Sequence, residues 1–215
     1  MTVSGSGFGA VDCNISFTAP SSQEICYVSV IASDETGGTV LRNTTIKVGN
    51  PSQIALAISA GNSHTCALTS GGGAKCWGYN YFGQIGDNST TARRTPVDVC
   101  ADDTCSSSLN NVVAISAGGS HTCALISGGR GKCWGNNIYG QLGDGFIRVE
   151  GDVFTTNRLT PVDVYGLSSG ASTIIAGYYS SIAVVSGGAK SWGTNSSGAV
   201  GMGYYNRLTP VDVLW

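Results

Sequence analysis

An 18-residue stretch, GNSHTCALTSGGGAKCWG at 61–78, returns as GGSHTCALISGGRGKCWG at 118–135, displaced by 57 residues. A third version, GYYSSIAVVSGGAKSWG at 177–193, is one residue shorter in its turn. Each copy follows a short apolar run (54–59, 112–116 and 173–176) and precedes a loop of the form N-x-x-G-x-x-G (80–86, 137–143 and 195–201). Each closes with the identical pentapeptide TPVDV, at 95–99, 160–164 and 209–213. Self-similarity of this kind means that one supersecondary unit is stacked on copies of itself.

The unit has four short extended segments in a period of about 50–57 residues, the pattern of a β-propeller blade. The central pair is a hairpin. Its turn is glycine-rich (Gly71-Gly72-Gly73, Gly128-Gly129, Gly187-Gly188), which supplies the positive φ that hairpin turns demand. The proline of TPVDV lacks a donor and suits a strand start or an outer edge. Trp77, Trp134 and Trp192 recur at one position and are expected in the core between blades. Composition agrees with an all-β chain: 32 glycines in 215 residues is roughly twice the usual share of about 7%.

The run H-T-C-A-L … C-W-G-x-N-x-x-G-Q-L-G … T-P-V resembles the repeat of the regulator of chromosome condensation superfamily, in its exported bacterial style. The resemblance covers roughly residues 51–215 and implies a propeller, usually of seven blades. Copy three departs from it, with Ser180 for histidine, Ile182 and Ser191 for the cysteines, and Ala199-Val200 for Gln-Leu. Copy two carries an insertion at 146–157 before its TPVDV. The repeats are placed at about 51–110, 111–167 and 168–215. A closed propeller needs at least four blades, so the ring is incomplete in this chain. Three blades leave two open edges. Continuation of the chain, the N-terminal segment, or a second copy in a homo-oligomer is expected to cover them.

Residues 1–50 form a separate β-rich segment. ISFTAPSSQEICYVSVIASDETGGTVLRNTTIKV alternates apolar and polar residues over two runs joined by Asp34-Glu35-Thr36-Gly37-Gly38. It resembles the last three strands of a bacterial immunoglobulin-like domain, and a fibre collar would share its pattern.

The eight cysteines are even in number, which points to disulfides and an oxidising compartment. Cys66 and Cys76 lie at equal distances from Gly71, and Cys123 and Cys133 straddle Gly128, so each pair faces across a hairpin. Cys100 and Cys105 staple the loop CADDTC, and Cys13 and Cys26 pair by elimination. Zinc is the alternative, because His64-x-Cys66…Cys76 recurs as His121-x-Cys123…Cys133. Three ligands per blade fit zinc poorly, and disulfides consume the thiolates. No metal or cofactor is expected. The N-terminus lacks the regions of a signal peptide, so the numbered chain is read as a mature or trimmed part of an exported protein.

Nothing in the chain assembles catalysis. Both histidines recur at equivalent positions, where a catalytic site would be singular, and they are expected to bond backbone between strands. Asp98, Asp163 and Asp212 recur in TPVDV as turn or edge residues, and Lys75, Lys132 and Lys190 recur as outward scaffold. No glycine run opens a helix to cradle phosphate. With 11 basic residues against 13 acidic ones and no basic stretch, nucleic acid is not an expected partner. No run of 18 apolar residues occurs, so no membrane insertion is expected.

What differs between copies is aromatic. Tyr79, Tyr81 and Phe82 mark copy one, Ile138 and Tyr139 copy two, and Tyr178, Tyr179, Tyr204 and Tyr205 copy three. The insertion adds Phe146, Arg148 and Phe154. Tyrosine, phenylalanine and arginine on rigidly held loops are the usual anchors of protein and glycan recognition. Some of them could instead tuck beneath their loops. The sequons at Asn14, Asn43, Asn88 and Asn195 matter only where the host glycosylates exported proteins. The sequence therefore points to a non-catalytic recognition or adhesion module, extracellular or at the cell surface, that binds a protein or glycan there. The alternatives are an intracellular guanine-nucleotide exchange or chromatin-docking propeller, a secreted enzyme inhibitor, and a structural subunit. A hydrolase comes last.

Overall fold

In a computed structural model of the protein, the described residues are 26–33, 39–46, 54–146 and 156–214. Among them every regular element is a strand. The chain divides into two units, residues 1–51 and 52–215. In the first, β1 (Cys26–Ser33) pairs antiparallel with β2 (Thr39–Ile46) in unbroken register from Cys26↔Ile46 to Ser33↔Thr39. The first of the three strands that the immunoglobulin-like resemblance implies, the 34–38 connection and the Cys13–Cys26 pairing lie outside the described residues.

The second unit is three four-stranded antiparallel sheets, each built from one repeat and each in sequence order. The first holds β3 (Ala55–Ala60), β4 (His64–Thr69), β5 (Ala74–Gly78) and β6 (Arg93–Asp98). The second holds β7 (Val112–Ala117), β8 (His121–Ile126), β9 (Arg130–Gly135) and β10 (Arg158–Asp163). The third holds β11 (Ala171–Ala176), β12 (Ser180–Val185), β13 (Gly188–Gly193) and β14 (Arg207–Asp212). These are propeller blades. The TPVDV prolines, Pro96, Pro161 and Pro210, sit in the edge strands β6, β10 and β14, where each ladder skips register and the missing N–H costs no sheet bond.

The hairpin turns differ slightly from expectation. Gly72, Gly128, Gly129 and Gly187 take positive φ, but in the third blade Ser186 shares the task at φ 51°. A two-residue turn between Val185 and Gly188 needs both central residues left-handed, and only one of them is glycine.

Burial explains why H-T-C-A-L carries no simple polar face. All six residues of β8 are buried, because the blades on either side cover both of its faces. One core joins Cys66, Cys76, Ile85 and Val99 of the first blade to Val112, Ala124 and Trp134 of the second. The next core joins Cys123, Cys133, Leu142 and Val164 to Ile174, Ala183 and Trp192. The first strands clip together as well: Ala117 N–H donates to Ser59 Oγ at 2.9 Å, and Ala176 N–H to Ser116 Oγ at 3.0 Å. Among the described residues nothing covers the outermost faces. Ile58 is 68% exposed and Trp77 half-buried, whereas Trp134 and Trp192 are fully enclosed.

Candidate recognition face

Alternating strand direction sends the loops to two ends of the blades. The connections 61–63 and 79–92, with their counterparts 118–120, 136–146, 177–179 and 194–206, gather at one end. There the two loops of each blade are bonded together: Tyr79 N–H to Ser63 O at 2.8 Å, Asn136 N–H to Ser120 O at 2.9 Å, and Thr194 N–H to Tyr179 O at 2.9 Å. The hairpin turns and blade-to-blade links occupy the other end.

The N-x-x-G-x-x-G loops hold their shape through a buried asparagine. Asn80 Oδ1 accepts from Ile85 N–H at 2.9 Å, while its Nδ2 donates to Asp87 Oδ1 and to the Ser89 and Thr91 carbonyls. Asn137 repeats the device with Leu142 and Asp144, and Asn195 with Val200 and the carbonyls of Met202 and Gly203. The Asn195 side chain is therefore buried structure in the folded chain, and that sequon is not displayed.

Each loop also grips the blade that follows. The Gln84 carbonyl accepts from Trp134 Nε1 at 3.0 Å and from Thr122 Oγ1 at 2.8 Å, and the Gln141 carbonyl serves Trp192 and Ser181 in the same way. Gly83, at φ 81°, lies against Leu159 so closely that a Cβ there would come 2.5 Å from Leu159 Cδ2. The histidines join this junction, which corrects their expected bonding to backbone. His64 Nε2 meets Thr122 Oγ1 at 2.8 Å, and His121 Nε2 meets Ser181 Oγ at 2.8 Å, each a side chain of the next blade. Burial lowers their pKa values from 6.5 to about 4 for His64 and about 3 for His121, with a further small push on His121 from His64. Both imidazoles are neutral at physiological pH.

Cys66 is bonded to Cys76, Cys123 to Cys133 and Cys100 to Cys105. Cys66↔Cys76 and Cys123↔Cys133 are directly opposed register partners with Cα atoms 4.1 Å apart, and Ile182↔Ser191 is the matching pair of the third blade. Sulfur bound in this way offers neither a nucleophile nor a metal ligand. The recurrent lysines and aspartates do more than face outward: Lys75–Asp98, Lys132–Asp163 and Lys190–Asp212 form three equivalent ion pairs at 2.8, 3.1 and 2.6 Å. Such exposed pairs contribute little stability.

The aromatic candidates with described positions all belong to loops of the first end. Tyr79 stacks on Tyr81 at 6.3 Å, and Tyr81 meets Phe82 edge-on at 5.2 Å. Between the second and third blades Tyr139 packs edge-on against Tyr179 at 5.1 Å, and Tyr179 against Tyr178 at 4.4 Å. Burial, and after it the neighbouring Tyr178, raise the Tyr179 phenol above its ordinary pKa. Phe146 lies apart, beneath the Arg158 guanidinium at 4.0 Å. Tyr204 and Tyr205 stand out at 92% and 79% exposure, while Phe82 and Tyr139 are half-buried. Arg148 and Phe154 lie outside the described residues.

One feature escaped sequence reasoning. Arg93 Nε pairs with Asp87 at 2.5 Å and Arg158 Nε with Asp144 at 2.9 Å, but the third blade keeps the arginine, Arg207, and has Met202 where the aspartate stood. Aligning Gly86-Asp87 and Gly143-Asp144 with Gly201-Met202 would have revealed it.

The sequence profile of the regulator of chromosome condensation (RCC1) repeat matches residues 56–84 and 112–141, and a second profile of the same description matches 76–125. The chain is 31% identical over 161 residues to the ultraviolet-B receptor UVR8 of Arabidopsis thaliana, covering 73% of this chain and 33% of the receptor. It is 31% identical over 162 residues to the probable E3 ubiquitin-protein ligase HERC4 of Homo sapiens, covering 74% of this chain and 14% of the ligase. The chain thus spans a third or less of these curated relatives. Among solved structures, yeast RCC1 (Prp20) bound to Kap60 superposes with a TM-score of 0.62 at 23% identity, covering 86% of this chain and 41% of that one. Human WBSCR16 superposes with a TM-score of 0.62 at 19% identity, covering 80% and 40%. At these identities the likeness is one of fold.

Proposed function

This chain carries repeats of the regulator of chromosome condensation type, and from that premise we propose that it is a non-catalytic protein-binding module that engages its partner through the aromatic loop face. The observation that carries the reading is the placement of Tyr79, Tyr81, Tyr139, Tyr178, Tyr179, Tyr204 and Tyr205 at one end of rigid, cross-braced blades. Large aromatic side chains on a fixed frame lose little freedom on binding and bury much area. Yeast RCC1 has been solved in complex with Kap60, and Prp20p of Saccharomyces cerevisiae binds Gsp1p and histones, which favours a protein over a glycan as the partner class. Three disulfides in the second unit favour an oxidising compartment, and with it the exported role over intracellular exchange or chromatin docking. The uncovered faces of the first and third blades are read as seats for further blades, from a longer chain or a second copy.

The test is to screen the purified chain on arrays of extracellular proteins and of glycans beside two double variants, Tyr79→Ala/Tyr81→Ala and Tyr139→Ala/Tyr179→Ala. Tyr165→Ala, exposed after β10 at the opposite end, is the control. A protein ligand weakened at least about tenfold by either pair and untouched by the control is expected. A ligand found only among glycans, or sensitivity confined to Tyr165, would overturn the reading.

A further inference from the structure

Blades one and two share a device that the third has half lost. In each, an arginine opens the outer strand opposite the glycine that ends the third strand: Arg93↔Gly78 and Arg158↔Gly135. Each sends its Nε to a nearly buried aspartate, Asp87 or Asp144, whose side chain is 7% exposed. Arg207 opens β14 in the same register, opposite Gly193. The aspartate position is Met202, Arg207 forms no ion pair among the described residues, and its buried Nε has no hydrogen-bond partner.

A guanidinium nitrogen withheld from water and left unpaired is costly, and a carboxylate is its best-fitting mate. The surroundings suit one arriving from outside. Met202 is 37% exposed, and a thioether on three rotatable bonds moves aside readily. Gly203, at φ 66°, lies so close to the guanidinium that a Cβ there would be 3.1 Å from Nη2. Tyr204 and Tyr205 follow at once. Arginine beside exposed tyrosine is the composition of an interface anchor.

We propose that Arg207, two residues after the exposed Tyr204-Tyr205 pair, is the docking point for an acidic side chain of the protein partner, whose carboxylate takes the place that Asp87 and Asp144 hold in the other blades. This rests on the loop face being the protein-binding surface. Carboxylate is favoured over phosphate for two reasons. The sister blades display the matching arginine–carboxylate geometry, and a single guanidinium is offered where phosphate recognition draws on arginine clusters.

Restoring the aspartate tests this directly, because Met202→Asp gives Arg207 an internal mate that competes with the partner. The probe is a set of N-acetylated, C-amidated 12-residue peptides, each with one Asp or Glu among Tyr, Leu and Ser, alongside matched Asn or Gln peptides. Binding to the full chain is read by fluorescence polarisation. The wild type is expected to prefer carboxylate peptides about tenfold or more. Met202→Asp and Arg207→Gln should each abolish the preference, and Met202→Asn, which adds no charge, should keep it. Thermal melting of each variant checks its fold, and Met202→Asp should melt no lower than wild type. Equal binding of both peptide sets, a preference surviving in Met202→Asp, or no binding by either set at millimolar concentration overturns the inference. If it falls while the double tyrosine variants still weaken the array ligand, only the Arg207 inference is lost. If those variants have no effect, the loop-face reading goes first.

Discussion

Neither imidazole titrates where a histidine normally does, since burial holds His64 at about 4 and His121 at about 3. The folded chain therefore keeps both neutral, while the unfolded chain protonates them as pH falls below about 6.5. Stability from this source is complete above that pH. It is lost on acidification through the window down to 4 for His64 and 3 for His121, at about 1.4 kcal/mol per pH unit for each. Denaturant midpoints between pH 4 and 7 should fall on this slope, and His64→Gln should roughly halve it. An unchanged slope in that variant would assign the acid sensitivity elsewhere. The recurrence of the histidines was plain in the sequence, but their partners were not. Thr122 lies 58 positions from His64, and no local pattern marks a contact that exists only after blades stack. Arg207 is hidden for a different reason: an arginine repeated in register looks like frame, and the loss of its aspartate shows only when the three loops are set side by side.

At the level of elements, the hairpin disulfides and the loop disulfide have different surroundings. Cys66, Cys76, Cys123 and Cys133 are wholly enclosed between blades, whereas Cys105 is exposed in a link between them. Thiol attack requires access. Mild reductant on the native protein, followed by alkylation and peptide mass mapping, should open Cys100–Cys105 first, with the hairpin bonds yielding only on denaturation. Simultaneous loss of all three would mean that the blades separate readily. The strands were legible because turn glycines, alternation and exact repetition agree on them, and the symmetric placement of the cysteines about the turn exposed the register. Burial was less legible. A strand such as His121–Ile126 is covered on both faces only because it belongs to the middle blade, and nothing within the repeat records that rank.

At the scale of the second unit, three blades give two junctions and two uncovered faces, and the tryptophans report which is which. Trp134 and Trp192 donate to loop carbonyls of the preceding blade, while Trp77 is half-buried with no preceding blade among the described residues. Trp77→Phe should remove acrylamide-quenchable fluorescence that Trp134→Phe leaves in place. Equal quenching losses from both would mean that the first face is covered in solution. The grip of each loop on its successor carries one more consequence. Gln84 and Gln141 present the same carbonyl to the same pair of donors, so the first blade would find in the third nearly the mate it finds in the second. Excising or duplicating one whole repeat leaves every surviving seam chemically matched. Unequal recombination within such a gene can therefore change the number of units in a single step without any seam having to be reinvented.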